Sequence, residues 1–545
     1  MWLNSAKLIN WWLIIVVVAA ALLRLVWLDK FPRGFTADEA AFGYNAYSLL
    51  LTGRDEWGQQ WWTLPFTNLR SFGDYKLPLY VYLTVPAVKI FGLSEAATRL
   101  PNALIGTAAV GVVYLLAKKL FGHPVALWAA GLMAISPWHI SLSRGAFEAN
   151  LVTFLLPLAI YMFLQKRAIL TAVILAISLY SYHSARVIVP LLLLILMAFS
   201  WKERKKWLVV MVMVFGLLAI PAVVSYWGPG RARLADVGIF SPTDNWQTVA
   251  QRRFAARNAG LPDFVARLFS NKVTYLASGF TKNYLAYYSL KFLFTDGAGE
   301  ATYGMLPGRG VLYLVEMLFL ASFGVLLVRR PTWAMWMVVL ILVIAPLPAA
   351  LAKGPGHAAN RAATMIPFLA IASAVGAVYL GELFQQRGRY VTLVVGVILL
   401  SFTFFAQEYL YLGPVETAPA LNYGWKELMP RLSAVANRFT QVRVSRTLSE
   451  PHIFVAFYLK IPPQTYQEAT QGWTVFEKQG FKFLDQLDGY SLGKYRFGDL
   501  HFRDGISQPT LYVGRPEDFP PDYGEYFHVD YPSSQPAFKV VERKV

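Results

Sequence analysis

Long apolar runs separated by short charged stretches constrain this chain more than any other feature. A bilayer's hydrocarbon core is about 30 Å thick, so a helix that crosses it takes about 20 predominantly apolar residues. On that measure the sequence predicts about eleven transmembrane helices. They lie near residues 9–28, 97–117, 124–140, 147–164, 168–184, 187–201, 207–226, 310–328, 332–352, 362–383 and 390–411. Tyr180, Tyr182, His183 and Arg186 interrupt the pair around 168–201, and the count there stays open. No small-residue cleavage site follows the first run, and Arg24 interrupts it near its end. It reads as a retained span and not as a cleaved signal.

Charge placement sets the orientation. Lys118 with Lys119, Lys166 with Arg167, Lys202 with Arg204–Lys206, Arg329 with Arg330, and Arg387 with Arg389 all fall on one side when the spans are counted through. Cytoplasmic loops carry the excess of Lys and Arg, so that side and the N-terminus are expected in the cytoplasm. A net charge of +18 would suit a nucleic-acid binder, but most of the cations flank apolar runs, and nucleic acid is set aside as a partner. The chain contains no cysteine, which excludes disulfides and thiolate metal sites. There is no Walker-type phosphate loop and no dinucleotide fingerprint.

Two domains are expected. Residues 1–411 form the transmembrane part, with long outer loops at 29–96 and 227–309; residues 412–545 form a small extracytoplasmic α/β domain. In the first loop, 40–52 and 77–91 are apolar but short of a comfortable span. They read as helices lying in the interface, or for 77–91 as a re-entrant piece. In the tail, Ile453–Leu459, Thr510–Val513 and Phe538–Val541 look like strands, and Trp425–Phe439 like an amphipathic helix. All the long loops then lie outside, so any chemistry is expected on the outer face.

Five polar clusters flank these spans, each with a bland reading and a chemical one. Asp38-Glu39 fits a capping box begun by Thr36, and equally a catalytic carboxylate placed at a helix start. Lys76 either snorkels to water or contacts a lipid phosphate at headgroup depth. Arg144 and Glu148 form an i, i+4 pair or belong to a site. Tyr180-Ser181-Tyr182-His183 with Arg186 is an aromatic belt or part of a binding face. Lys353, His357, Asn360 and Arg361 surround a Gly-Pro turn on the outer side, where cations are disfavoured unless an anion binds. Jointly, one face collects carboxylates, cations and aromatics. That set suits an anionic lipid phosphate carrying a sugar, a base for an acceptor, and aromatic faces for sugar and isoprenoid.

Several of these stretches carry a family resemblance. Phe35-Thr36-Ala37-Asp38-Glu39, Tyr75-Lys76-Leu77-Pro78-Leu79-Tyr80 and Arg99-Leu100-Pro101-Asn102-Ala103-Leu104 come first. Ser143-Arg144 with Glu148, Lys282-Asn283-Tyr284 with Phe292-Leu293-Phe294, and Pro346-Leu347-Pro348-Ala349-Ala350 with His357 and Arg361 follow in order over the first 370 or so residues. The chain resembles bacterial GT-C fold glycosyltransferases of the protein mannosyltransferase and aminoarabinose transferase group. The resemblance implies an all-α polytopic fold in the bacterial inner membrane. It also implies inverting transfer of a hexose or pentose from a polyprenyl-phosphate donor to an acceptor hydroxyl on the outer face.

The same resemblance assigns roles. Asp38 becomes the base, Glu39 its orienter, and Glu148 a further acidic residue of the catalytic set. Lys76 contacts the donor phosphate, although Leu77 stands where relatives have a first proline. Tyr80, Arg144, His183, Arg186, Asp296, His357 and Arg361 are the other donor-binding candidates. No metal is required, with a divalent cation left open. The acceptor (protein, glycolipid or cell-wall glycan) is not given by the sequence. A lipid-linked glycan transporter or flippase, and an oligosaccharide ligase or polymerase of the same fold, are the alternatives.

Overall fold

The computed structural model describes residues 5–200, 205–228, 238–239, 246–299, 301–353, 358–481, 483–502, 508–521 and 523–543. Each of the eleven predicted stretches carries helix. Five helices are by themselves long and apolar enough to cross a membrane: Glu95–Phe121, Lys205–Trp227, Trp333–Ala350, Met365–Glu382 and Arg387–Glu416. A sixth candidate is His123–Ile135 joined to Pro137–Arg144 through a bend of 55°. The bend falls at Ser136-Pro137, where the proline cannot continue the ladder of the preceding helix. The stretch around 168–201 is two shorter helices, Ala168–Ser178 and Ala185–Ser200, separated by the polar turn that interrupts the sequence pattern.

The helix ends follow local chemistry. Ser94 caps Glu95–Phe121 by accepting from the Ala97 amide, Glu95 opens it, and Lys118 and Lys119 close it against the negative end of its dipole. Arg24 is fully buried and donates to the Met133 and Ala134 carbonyls at 3.1 and 2.9 Å and to His139 Nδ1 at 2.8 Å. It thereby satisfies the open carbonyls at the bend, which explains a cation inside an apolar run.

The first outer loop departs from expectation. Helix Ala37–Thr52, expected to lie on a membrane surface, packs its Phe42 and Tyr44 face into protein. Phe42 and Tyr44 are fully buried, because the tail covers them. Gly43 lets the helix pack this closely: a Cβ there would sit 2.4 Å from Thr98 Oγ1 and 2.6 Å from Phe457. Helix Leu79–Phe91 does expose an apolar end at Ile90 and Phe91, as an interfacial helix would. Between the two helices, strands β1 (Leu69–Ser71) and β2 (Asp74–Lys76) form a hairpin that pairs Leu69 with Lys76.

The tail is an α/β domain. Its strands are β3 (Gln441–Ser445), β4 (Tyr490–Leu492), β5 (Tyr495–Gly498), β6 (Thr510–Gly514), β7 (Glu525–Asp530) and β8 (Pro536–Arg543), in the order β4-β5-β3-β6-β8-β7. Strand β3 runs parallel to β5 and β6, and the other pairs are antiparallel. The expected strands at 510–513 and 538–541 and the helix Trp425–Ala436 are present. The run Ile453–Leu459, read as a strand, belongs instead to helix Pro451–Tyr458. It is buried on every side, so it shows neither helical nor strand periodicity. This helix stands on Ala37–Thr52, and a single apolar core joins Phe35, Phe42 and Tyr44 of the loop to Trp425, Phe454 and Phe457 of the tail.

Candidate functional site

The site begins at the start of helix Ala37–Thr52. Thr36 and Glu39 form a reciprocal capping box, with Thr36 Oγ1 accepting from the Glu39 amide at 3.2 Å and Glu39 Oε2 from the Thr36 amide at 3.0 Å. Successive helical residues point about 100° apart, so Asp38 and Glu39 face different surroundings. Glu39 turns inward. It accepts from Arg99 Nε at 2.8 Å and from the Ala146 amide at 2.9 Å, and both members of the Glu39–Arg99 pair are fully buried. Asp38 turns outward. Its Oδ1 lies 2.5 Å from Lys76 Nζ, with Asp38 45% and Lys76 3% exposed.

The β1–β2 hairpin delivers Lys76. Its turn uses Phe72 at φ 37° and Gly73 at φ 100°, a left-handed pair that folds the chain sharply back. Lys76 Nζ sits 4.9 Å from the Phe72 ring centroid and 3.6 Å from Asp74. Deeper in the same loop, Glu56 accepts from Ser71 Oγ at 2.6 Å and is fully buried. Burial pushes its carboxyl up to about 8 and that of Asp55 to about 7.

The hairpin rests on the turn between Ala168–Ser178 and Ala185–Ser200. His183 Nε2 lies 3.0 Å from the Tyr75 carbonyl, and Arg186 Nη2 donates to Asn68 Oδ1 at 3.3 Å and Ser225 Oγ at 2.9 Å. Beside it opens a cavity of about 620 Å³. Tyr182, His183, Arg186, Tyr303 and Arg361 supply its polar wall; Leu179, Pro190, Phe215, Ala219, Ala222, Val223, Trp227 and Leu351 contribute to its apolar wall. Arg186 Nη1 is buried there without a partner among the described residues. A cationic group left unsatisfied beside an apolar cleft suits an anion attached to a hydrocarbon chain.

Other predicted residues stand elsewhere. The Arg144 guanidinium donates to the carbonyls of Leu23, Val26, Trp27 and Phe31 at 2.6–3.2 Å and so closes the end of the first helix, while its Nε is buried without a partner among the described residues. Tyr80 is fully buried, donates to the Thr98 carbonyl at 2.9 Å and packs on Phe42, and so supports the loop. Asp296 is exposed in its own turn, accepting from Thr295 Oγ1 at 2.9 Å, outside the cavity wall. Glu148 is half-buried at the start of a 3-10 turn, and its charge reaches the Tyr80 hydroxyl. His357 lies outside the described residues.

Sequence reasoning missed Glu56, although it belongs to a second Asp-Glu dipeptide in the same loop. It also missed Tyr303 and the tail's Glu450, whose carboxyl lies within reach of the Asp38 and Lys76 charges. Among the described residues one group has metal-ligand spacing: Asp488, Asp499 and His501, with ligand atoms within 4.8 Å of one another. It is exposed in the tail, and Asp499 is already paired with Arg446 at 2.7 Å.

Residues 76–227 match the family model of dolichyl-phosphate-mannose-protein mannosyltransferases. No curated protein sequence matches the chain. Among solved structures, ArnT from Cupriavidus metallidurans in the apo state is similar over 99% of this chain and 98% of that one, with a TM-score of 0.55 and 14% identity. The same protein bound to undecaprenyl phosphate is similar over 97% and 98%, with a TM-score of 0.55 and 13% identity. The oligosaccharyltransferase of Archaeoglobus fulgidus in complex with Zn and sulfate is similar over 92% of this chain and 68% of that one, with a TM-score of 0.51 and 15% identity. The fold is therefore the GT-C glycosyltransferase fold, carried by a multi-pass membrane protein.

Proposed function

We propose that this GT-C fold protein moves a sugar from a polyprenyl-phosphate donor to an acceptor hydroxyl, with inversion, on the outer face of a bacterial cell membrane. The observation that carries the reading is the Asp38–Lys76 ion pair at 2.5 Å, set beside a cavity that offers Arg186, Arg361 and an apolar wall. The isoprenoid lies along the apolar wall, and the two arginines hold the phosphate. The ArnT structure with undecaprenyl phosphate lends this its ligand class.

When the donor phosphate arrives, it competes with Asp38 for Lys76, and a carboxylate oxygen is freed. Asp38 takes the proton of the acceptor hydroxyl. That oxygen forms a bond to the anomeric carbon from the face opposite the phosphate, and the carbon–phosphate oxygen bond breaks. The electron pair leaves with the polyprenyl phosphate, whose charge Lys76 and the arginines balance. Glu39 keeps the helix start in place through Arg99. In this reading all eleven apolar helices cross the membrane, the N-terminus is cytoplasmic, and 412–545 stands outside with the loops 29–96 and 227–309.

The test supplies purified protein with undecaprenyl-phosphate donors bearing radiolabelled hexose or pentose, and with membranes from cells that lack the gene. Label passing to a membrane component with inverted anomeric configuration is the expected result. Label that stays on the donor with every sugar overturns the reading. The likeness to an oligosaccharyltransferase favours one second reading, transfer of a whole glycan. Oligosaccharide donors run beside the monosaccharide ones decide between them.

A further inference from the structure

The tail reaches the Asp38–Lys76 pair through one short segment. Residues Ser449 and Glu450 both adopt left-handed backbone, at φ 50° and 44°. Two consecutive non-glycine residues in that region each carry strain of order 1–3 kcal/mol, which persists only where the surroundings hold it. Here they do. Helix Pro451–Tyr458 begins at once and is packed into the core shared with the first loop. His452 lies edge-on to Phe72 at 6.3 Å, and the Leu484 amide donates to the Phe72 carbonyl at 3.1 Å. Phe72 is the ring on which Lys76 sits. The tail therefore clamps the hairpin turn that carries the lysine, and Glu450 stands at the start of the clamping helix, close enough for the Asp38 and Lys76 charges to bear on it.

We propose that Glu450 is a positioning residue for the acceptor, closing the Asp38–Lys76 site from the tail side. This rests on the transfer reaction described above. Among the described residues its hydrogen-bond partner is the neighbouring Ser449 hydroxyl. The charged groups that bear on it are Asp485, Asp38 and Lys76. Beside it, Arg446, Thr447, Phe481, Asp485 and Gln486 line an open concavity of about 420 Å³, all of them from the tail. A polar, hydroxyl-bearing acceptor fits such a wall better than an isoprenoid does, and the isoprenoid already has its apolar cavity. Burial, then Asp485 and Asp38, raise the Glu450 carboxyl to about 7, against the opposing effects of Ser449 and Lys76. Below that pH it is a hydrogen-bond donor and does not compete with Asp38 as a base. It donates to an acceptor oxygen next to the attacking hydroxyl and so turns that hydroxyl toward Asp38.

The sign of the pH effect follows. The working form is protonated, so transfer declines as pH rises through about 7. Glu450→Gln keeps a donor that does not titrate. Glu450→Ala removes it.

The experiment uses the full-length protein, a radiolabelled undecaprenyl-phosphate sugar and membranes from cells lacking the gene, and measures transfer across pH 5.5–9 (a range of about two units either side of neutrality). Undecaprenyl-phosphate binding and thermal unfolding are recorded for every variant. Glu450→Ala is expected to lower transfer roughly tenfold with carrier binding unchanged. Glu450→Gln is expected to stay within about twofold of the unaltered protein at pH 6 and to lose the alkaline decline. Unchanged transfer in Glu450→Ala, or an alkaline decline that persists in Glu450→Gln, overturns the proposal while the transfer reaction stands. An unaltered protein that moves no sugar overturns both.

Discussion

Asp38 and Glu39 are neighbours in sequence, and each forms an ion pair, but the two pairs do opposite work. The Glu39–Arg99 pair is fully buried, and its carboxylate has four hydrogen-bond partners: the Arg99 side chain, the Thr36 amide and hydroxyl, and the Ala146 amide. The Asp38–Lys76 pair has one half-exposed member. A saturated pair is a brace. A pair with one member at the surface can exchange a partner when a ligand arrives. Adjacent residues of the same charge thus acquire different functions from one helical step.

The comparison predicts separable failures. Asp38→Ala should lower transfer by about 10²–10⁴-fold, the usual worth of a positioned general base, with a smaller loss of thermal stability than Glu39→Gln, because Asp74 stays 3.6 Å from the buried Lys76. An equal loss of thermal stability would make Asp38 a brace as well. Glu39→Gln should cost about 3–5 kcal/mol of stability, because Arg99 is left as a buried, uncompensated charge; a denaturant titration reads this directly. An unchanged midpoint would end the distinction between the pairs. Lys76→Ala should raise the donor concentration needed for half-maximal rate about tenfold, equivalent to ~1.4 kcal/mol. A donor dependence that does not move removes the lysine from phosphate binding.

The loop behind the pair supplies a pH-dependent case. Asp55 and Glu56 have carboxyls raised to about 7 and about 8 in the fold. A carboxyl raised on folding contributes stability that is fully present below its unfolded value, near 4, and that is lost as pH rises through the folded value. Stability should therefore fall between about pH 4 and 8, and Glu56→Gln should flatten that slope in unfolding curves taken at each pH. The smallest effect belongs to the exposed Asp263–Arg267 pair at 2.7 Å. Asp263→Asn should change stability by about 0.3–0.5 kcal/mol, which calibrates what burial adds to the Glu39–Arg99 pair.

The sequence makes some of this legible and hides the rest for physical reasons. Asp38, Glu39 and Lys76 stand out because charge beside apolar sequence needs an account, and the capping box at Thr36 is readable from spacing alone. His183, Arg186 and Arg361 mark the cavity wall for the same reason. The contacts of Arg144 are hidden because its partners are main-chain carbonyls, which leave no trace in residue identity. Helix Pro451–Tyr458 misleads because complete burial erases periodicity. Glu450 gives no signal at all: its place depends on two left-handed backbone angles and on the packing of its helix against residues some 400 positions away, and no local pattern encodes either.

The interlock of first loop and tail bears on how the protein is made. Tyr44 donates to the Ile461 carbonyl across 417 residues of chain, and the Phe35 ring packs against Phe457 at 4.8 Å, tilted by 46°. A ribosome has made every long apolar helix before the partner of that early loop exists. Until then Phe35, Phe42 and Tyr44 must wait uncovered, a state prone to misassembly or to capture by chaperones. The surroundings of the Asp38–Lys76 pair are consequently among the last parts of the molecule to mature, and a nascent chain stopped short of Pro451–Tyr458 would lack the helix that packs on Ala37–Thr52.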